Sequence, residues 1–168
     1  MTTTWIAGII ARDLDALRRE LGAYPDESDL WRVFPGISNS AGTLALHIAG
    51  NLQHFFGAVL GGSGYVRDRE AEFRRRNVSR RELLAQVDAA AEAVRSGLAG
   101  TSDADLTRDY PIGVGGVRFA TGDFLVHCAA HLTYHLGQID YHRRLVTGQS
   151  GQIRALAVPE LPSARQAG

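Results

Sequence analysis

The residues able to do chemistry gather in two stretches of this chain. It holds six histidines: His47 and His54 lie in LHIAGNLQHF, and His127, His131, His135 and His142 lie in HCAAHLTYHLGQIDYH. Read as helices, His47, Asn51 and His54 fall at i, i+4 and i+7, on a single face. His131 and His135 are an i, i+4 pair, about 40° apart around a helix axis at about 100° per residue. Imidazoles so spaced start from Cβ atoms about 5–6 Å apart and can converge on one ion at about 2.0–2.1 Å. A third nitrogen must come from another helix, and His47 or His54 would supply it in an antiparallel bundle. Three neutral imidazoles without carboxylate or thiolate leave coordination positions open, as a catalytic centre requires. Imidazole suits zinc, nickel, copper and iron alike, and zinc or nickel is the expected divalent ion.

The plainer reading has weight. An inward histidine is more often a hydrogen-bonded core residue, and an isolated HxxxH pair is weak support for a metal. The histidines on a separate helix are what strengthen it. His127 lies off the stripe centre and reads as a residue behind or beside the site, as do Asn51 and Gln138; His54 reads as that or an alternative ligand. His142 sits two turns beyond His135, too far for the same ion. Cys128 faces inward and reads as a small buried hydrophobe.

Four periodic segments must position these groups. The first runs from about Thr4 to Leu21 on Ile6, Ile10, Leu14, Leu17 and Leu21, with Thr2 to Thr4 as candidate caps and Gly22 and Pro25 as the stop. The second runs from about Ala41 to Leu60, capped from Ser38, Asn39 and Ser40. The third opens on a capping-box spacing, Ser79 with Glu82, and buries Leu83, Val87, Ala90, Val94 and Leu98. The fourth opens at Thr121-Gly122-Asp123 and reaches about Val146. Two stretches fit no helix: the charged RDREAEFRRRN of 67–77, and DYPIGVGGVRFA of 109–120, which reads as a hairpin on a glycine turn. The expectation is one all-α domain over 1–150, a four-helix bundle with a long second-to-third connection and a hairpin-like loop before the fourth helix. The tail 151–168 is expected to be partly disordered.

Composition removes several function classes. Basic and acidic residues balance at 18 each, and all 18 basic ones are arginine. Lysine chemistry and a P-loop are therefore excluded. Zero net charge is poor for nucleic acid, and Glu70, Glu72 and Glu82 interleave with the arginines around 74–81. A single cysteine permits no internal disulfide and points to a reducing, cytoplasmic setting. No leader or membrane span is read, since His47, Asn51 and His54 interrupt the most apolar stretch.

NSAGTLALHIAGNLQHFFGAVLGGSGYVRDREAEF (39–73) and HLTYHLGQID (131–140) resemble the DinB-like superfamily of bacterial four-helix bundles, and within it a subfamily known as a domain of unknown function. The resemblance spans nearly the whole chain. It implies a bundle with an unusual connection order and a divalent metal on His47, His131 and His135; His54 matches no family role. It also implies a homodimer, to which Trp5 and Ile9 of the first helix would offer a second face. Some relatives are transferases or isomerases that use a low-molecular-weight thiol, and others resemble metal-dependent hydrolases. Three readings follow: a metal-dependent thiol S-transferase acting on a small molecule, a metal-dependent hydrolase, or a non-catalytic, stress-associated metal-binding protein. In the first, Arg67 or Arg69 would grip the carboxylates of the thiol. The competing reading has Arg67, Asp68, Arg69 and Glu72 pinning their loop through salt bridges.

Overall fold

The computed structural model describes residues 2–151, 153–154 and 156–166. The periodic segments become α1 (Thr2–Gly22), α2 (Ala41–Leu52), α4 (Arg80–Ala99) and α5 (Thr121–Thr147). A short α3 (Arg69–Arg74) lies between α2 and α4. From Gln53 to Leu60, α2 continues with π-helical bonding, so that the Gly61 amide donates to Phe56 O at 2.9 Å. The expected stripes are buried: Ile6, Ile10, Leu14, Leu17 and Leu21 on α1, and Leu83, Val87, Ala90, Val94 and Leu98 on α4. No helix among the described residues is long and apolar enough to cross a membrane.

Around the bundle, α1 packs against α4 and α5, and α2 packs against the same two. The first and second long helices thus stand diagonally, as do the third and fourth, the unusual order that the resemblance implies. Cross-helix pairs give the directions. His47 with His131, and Phe55 with Phe124, set α2 antiparallel to α5. Gln53 with Gln86, and Phe56 beside Gly97, set α2 parallel to α4. Parallel neighbours need a connection that travels back along the bundle, which is why the second-to-third link is long. Gly97 allows the close approach there: a Cβ on it would stand 2.2 Å from Phe56 O.

Local details depart from the sequence reading at several points. The charged run at 67–77 forms α3, whose N-terminus Asp68 caps by accepting from the Ala71 amide at 2.8 Å. Its mixed charges hid the helix because the residue it buries is Glu72, not a hydrophobe. Thr3 and Thr4 lie inside α1 rather than capping it. Ser79 does cap α4, at 3.2 Å from the Glu82 amide, whereas the Glu82 carboxylate pairs with Arg75. The 109–120 stretch closes as a hairpin-like loop with isolated bridges Asp109–Ala120 and Val114–Val117, turning at Gly115 (φ 62°) and Gly116 (φ 80°). Positive φ at both central residues is what a twist-compatible hairpin turn demands, and glycine adopts it without strain. In the tail, Arg19 donates to the Ile153 carbonyl at 2.9 Å, while 152, 155 and 167–168 lie outside the described residues. Trp5 is exposed and Ile9 half-buried on α1.

Candidate metal centre

Antiparallel packing of α2 on α5 brings His47 against the HxxxH pair. Nε2 of His131 stands 3.3 Å from Nε2 of His47 and 3.0 Å from Nε2 of His135. One ligand nitrogen from each of the three lies within 4.8 Å of the others. Two ligands at about 2.0–2.1 Å from a tetrahedral ion stand about 3.3 Å apart, so these spacings suit one metal.

The tautomers decide whether the nitrogens can act as ligands. Nδ1 of His47 faces Glu72 Oε2 at 2.9 Å, and Nδ1 of His135 faces Gln138 Oε1 at 2.7 Å. An oxygen of either kind only accepts, so both rings carry their proton on Nδ1 and present a lone pair at Nε2. His131 can donate to one of those lone pairs but not to both. A cation at the centre satisfies all three together, so the residues present fit a divalent metal.

Electrostatics hold the HxxxH pair in the form a metal needs. Burial, reinforced by the neighbouring His135 and His47, pushes His131 down to about 4. Burial also lowers His135, against the Gln138 hydrogen bond. Neutral imidazole is the ligand form, so little proton has to be displaced at neutral pH.

Behind His47 stands a group the sequence reading did not single out as part of the site. Glu72 is 6% exposed, and its carboxylate receives Arg67 through Nε at 2.7 Å and through Nη2 at 2.9 Å. Burial alone would raise its pKa, but the hydrogen bonds from His47 and Arg67 outweigh this and hold it below the usual range. Gly50 makes the room, since a Cβ there would meet Glu72 Oε1 at 2.2 Å. That glycine, one turn after His47, was the available signal. Phe73 closes one side, its ring centroid 4.8 Å from that of His47.

The other candidates take separate places. Arg67 is committed to Glu72 and also lies over the Phe55 ring, while Arg69 lies over Phe73. His127 is exposed and stacks on His131, centroids 6.1 Å apart. His54 and Asn51 are outside the nitrogen cluster; His54 Nδ1 and Asn51 Oδ1 are buried without a hydrogen-bond partner among the described residues. Gln138 orients His135. His142 is tied to Tyr24 and to the Arg32 carbonyl, away from the triad. Cys128 is buried, and desolvation pushes its thiol up to about 12, leaving it a neutral packing residue.

No curated protein matches the chain. A family model described as the DinB superfamily matches residues 10–139, a span that contains all three clustered histidines together with Glu72 and Arg67. With the bundle, the histidine order and that match in agreement, the chain belongs to the DinB superfamily.

Proposed function

We propose that this protein is a divalent-metal enzyme that transfers a low-molecular-weight thiol to a small electrophilic substrate. The observation carrying this reading is the convergence of three Nε2 positions, two of them locked as lone pairs by Glu72 and Gln138. A divalent ion there would act as a Lewis acid and favour the thiolate of a bound thiol at neutral pH. The chain's own residues hold that chemistry in place. Glu72 and Arg67 fix the His47 ring, Gln138 fixes the His135 ring, and the half-buried His131 and His135 leave one side of the cluster open. Among the described residues, no side chain beside the triad is placed as a nucleophile of its own.

The test is cobalt reconstitution of the full chain followed by titration with glutathione. Sulfur-to-metal charge-transfer absorption on thiol addition, together with thiol consumption when an electrophile is supplied, is the expected result. Unchanged ligand-field bands with glutathione, combined with turnover of ester substrates, would replace transfer with hydrolysis. Metal bound at full stoichiometry, but no turnover of either kind, would reduce the protein to a metal binder.

A further inference from the structure

We propose that the cleft between the start of α5 and the loop before it, one turn from the triad, binds a small planar aromatic molecule whose polar end reaches the metal centre. The proposal rests on the metal reading above and adds the class of substrate.

Four rings form a continuous series along α5 and the loop before it. Phe119 and Phe124 stack with centroids 4.6 Å apart and planes within 18°. Phe124 and His127 follow at 5.9 Å and 18°, then His127 and His131 at 6.1 Å and 25°. The last of these rings belongs to the triad. Aromatic faces at such separations favour a further parallel, offset ring. A cleft of about 310 Å³ opens against this series, lined by Val114, Phe119, Asp123, Phe124 and His127. An apolar cavity of about 150 Å³ already accepts benzene, so this one has room for a substituted ring.

The facing helix supplies the second observation. With His47 against His131 and Phe55 against Phe124, the antiparallel register sets Asn51 and His54 level with His127 and Phe124. Both carry a buried polar atom with no hydrogen-bond partner among the described residues, Asn51 Oδ1 and His54 Nδ1. His54 stands at the start of the π-helical stretch, a distortion often found at functional sites. The stacked rings that line the cleft select a flat, mostly apolar molecule.

The test compares benzohydroxamate with acetohydroxamate on the zinc-loaded full chain by calorimetry. Both can ligate the metal, and only the first carries a ring. Benzohydroxamate is expected to bind at least about tenfold more tightly, from burial of the ring. That preference is expected to collapse in Phe119→Ala and in Val114→Phe, which fills the cleft, while metal stoichiometry and the acetohydroxamate affinity hold. Equal affinities in the wild type, or a preference that survives both variants, would overturn the proposal. If the chain holds no zinc, the metal reading fails and the cleft is tested alone: benzyl alcohol should still shift the NMR signals of Phe119, Phe124 and His127. Shifts at Ile37, Leu44 and Tyr141 in their place would put the ring in the groove of about 490 Å³ on the far side of His135, and would also overturn it.

Discussion

The carboxylate of Glu72 stands 2.9 Å from Nδ1 of His47, across 25 positions of sequence and between two different helices. The contact sets the ring's tautomer and, with the Arg67 fork on the same carboxylate, its angle. A carboxylate behind a ligating histidine raises its basicity and holds its orientation, and losing such a partner costs about 10–100-fold in metal affinity. Glu72→Gln should therefore weaken zinc binding by about that factor with little change of fold. Competition with a chromophoric chelator measures it, and unchanged affinity would remove Glu72 from the site.

His131 is the nitrogen that touches both partners, so His131→Ala should abolish stoichiometric metal. His54→Ala and His127→Ala should retain it. Elemental analysis of the purified proteins decides between them. Equal metal content in the wild type and in His131→Ala would show that the ion, if any, sits elsewhere.

Acid should destabilise the metal-free protein in a definite direction. His142 donates from Nε2 to the Arg32 carbonyl at 2.9 Å and accepts the Tyr24 hydroxyl at Nδ1, 2.7 Å away. Burial lowers its pKa from the ordinary 6.5, outweighing the hydrogen bond to Arg32. A group depressed in the folded state binds protons more readily when unfolded. Its contribution is present above about 6.5 and is lost as pH falls from there through the folded value. His131, His135 and His54 are depressed by burial too and act in the same sense, while Glu20, raised by burial to about 7, acts against them. Urea midpoints of the stripped protein should fall on going from pH 7 to pH 5, and His142→Phe should flatten part of that slope.

A buried ion pair locks α1 to α5 at the other side of the bundle. Arg143, 1% exposed, meets Glu20, 0% exposed, with Nε to Oε2 at 2.5 Å, and also holds Asp140 at 2.8 Å. Burial pushes Glu20 up to about 7 even with Arg143 beside it. Arg143→Met strands that carboxyl and should cost about 3–5 kcal/mol. Adding Glu20→Leu to it should recover most of the loss. Chemical denaturation of the two variants reads both effects.

Close packing of α4 on the π-helical stretch gives a further check. Gly97→Ala would set a Cβ 2.2 Å from Phe56 O, so backbone must move. A loss of about 1–3 kcal/mol in denaturation is expected, with metal stoichiometry preserved.

What the sequence determined by itself was whatever repeats locally. Apolar spacing of three and four residues fixed the long helices, and the i, i+4 spacing of His131 and His135 put both on one face. Ser79 as a cap and Gly115-Gly116 as a turn were legible because a single residue's conformation or hydroxyl decides them. Tertiary structure decided the rest. Residue spacing left His47 and His54 both open and only the resemblance favoured His47; the register of α2 against α5, a property of the packed bundle, is what sets His47 against His131. Glu72 joined the site because pairing with His47 and Arg67 offsets the cost of burying its charge. A buried charge in a run of charged residues carries no periodic signature, and its one sequence hint, Gly50 a turn after His47, gains meaning only once the fold seats Glu72 against it.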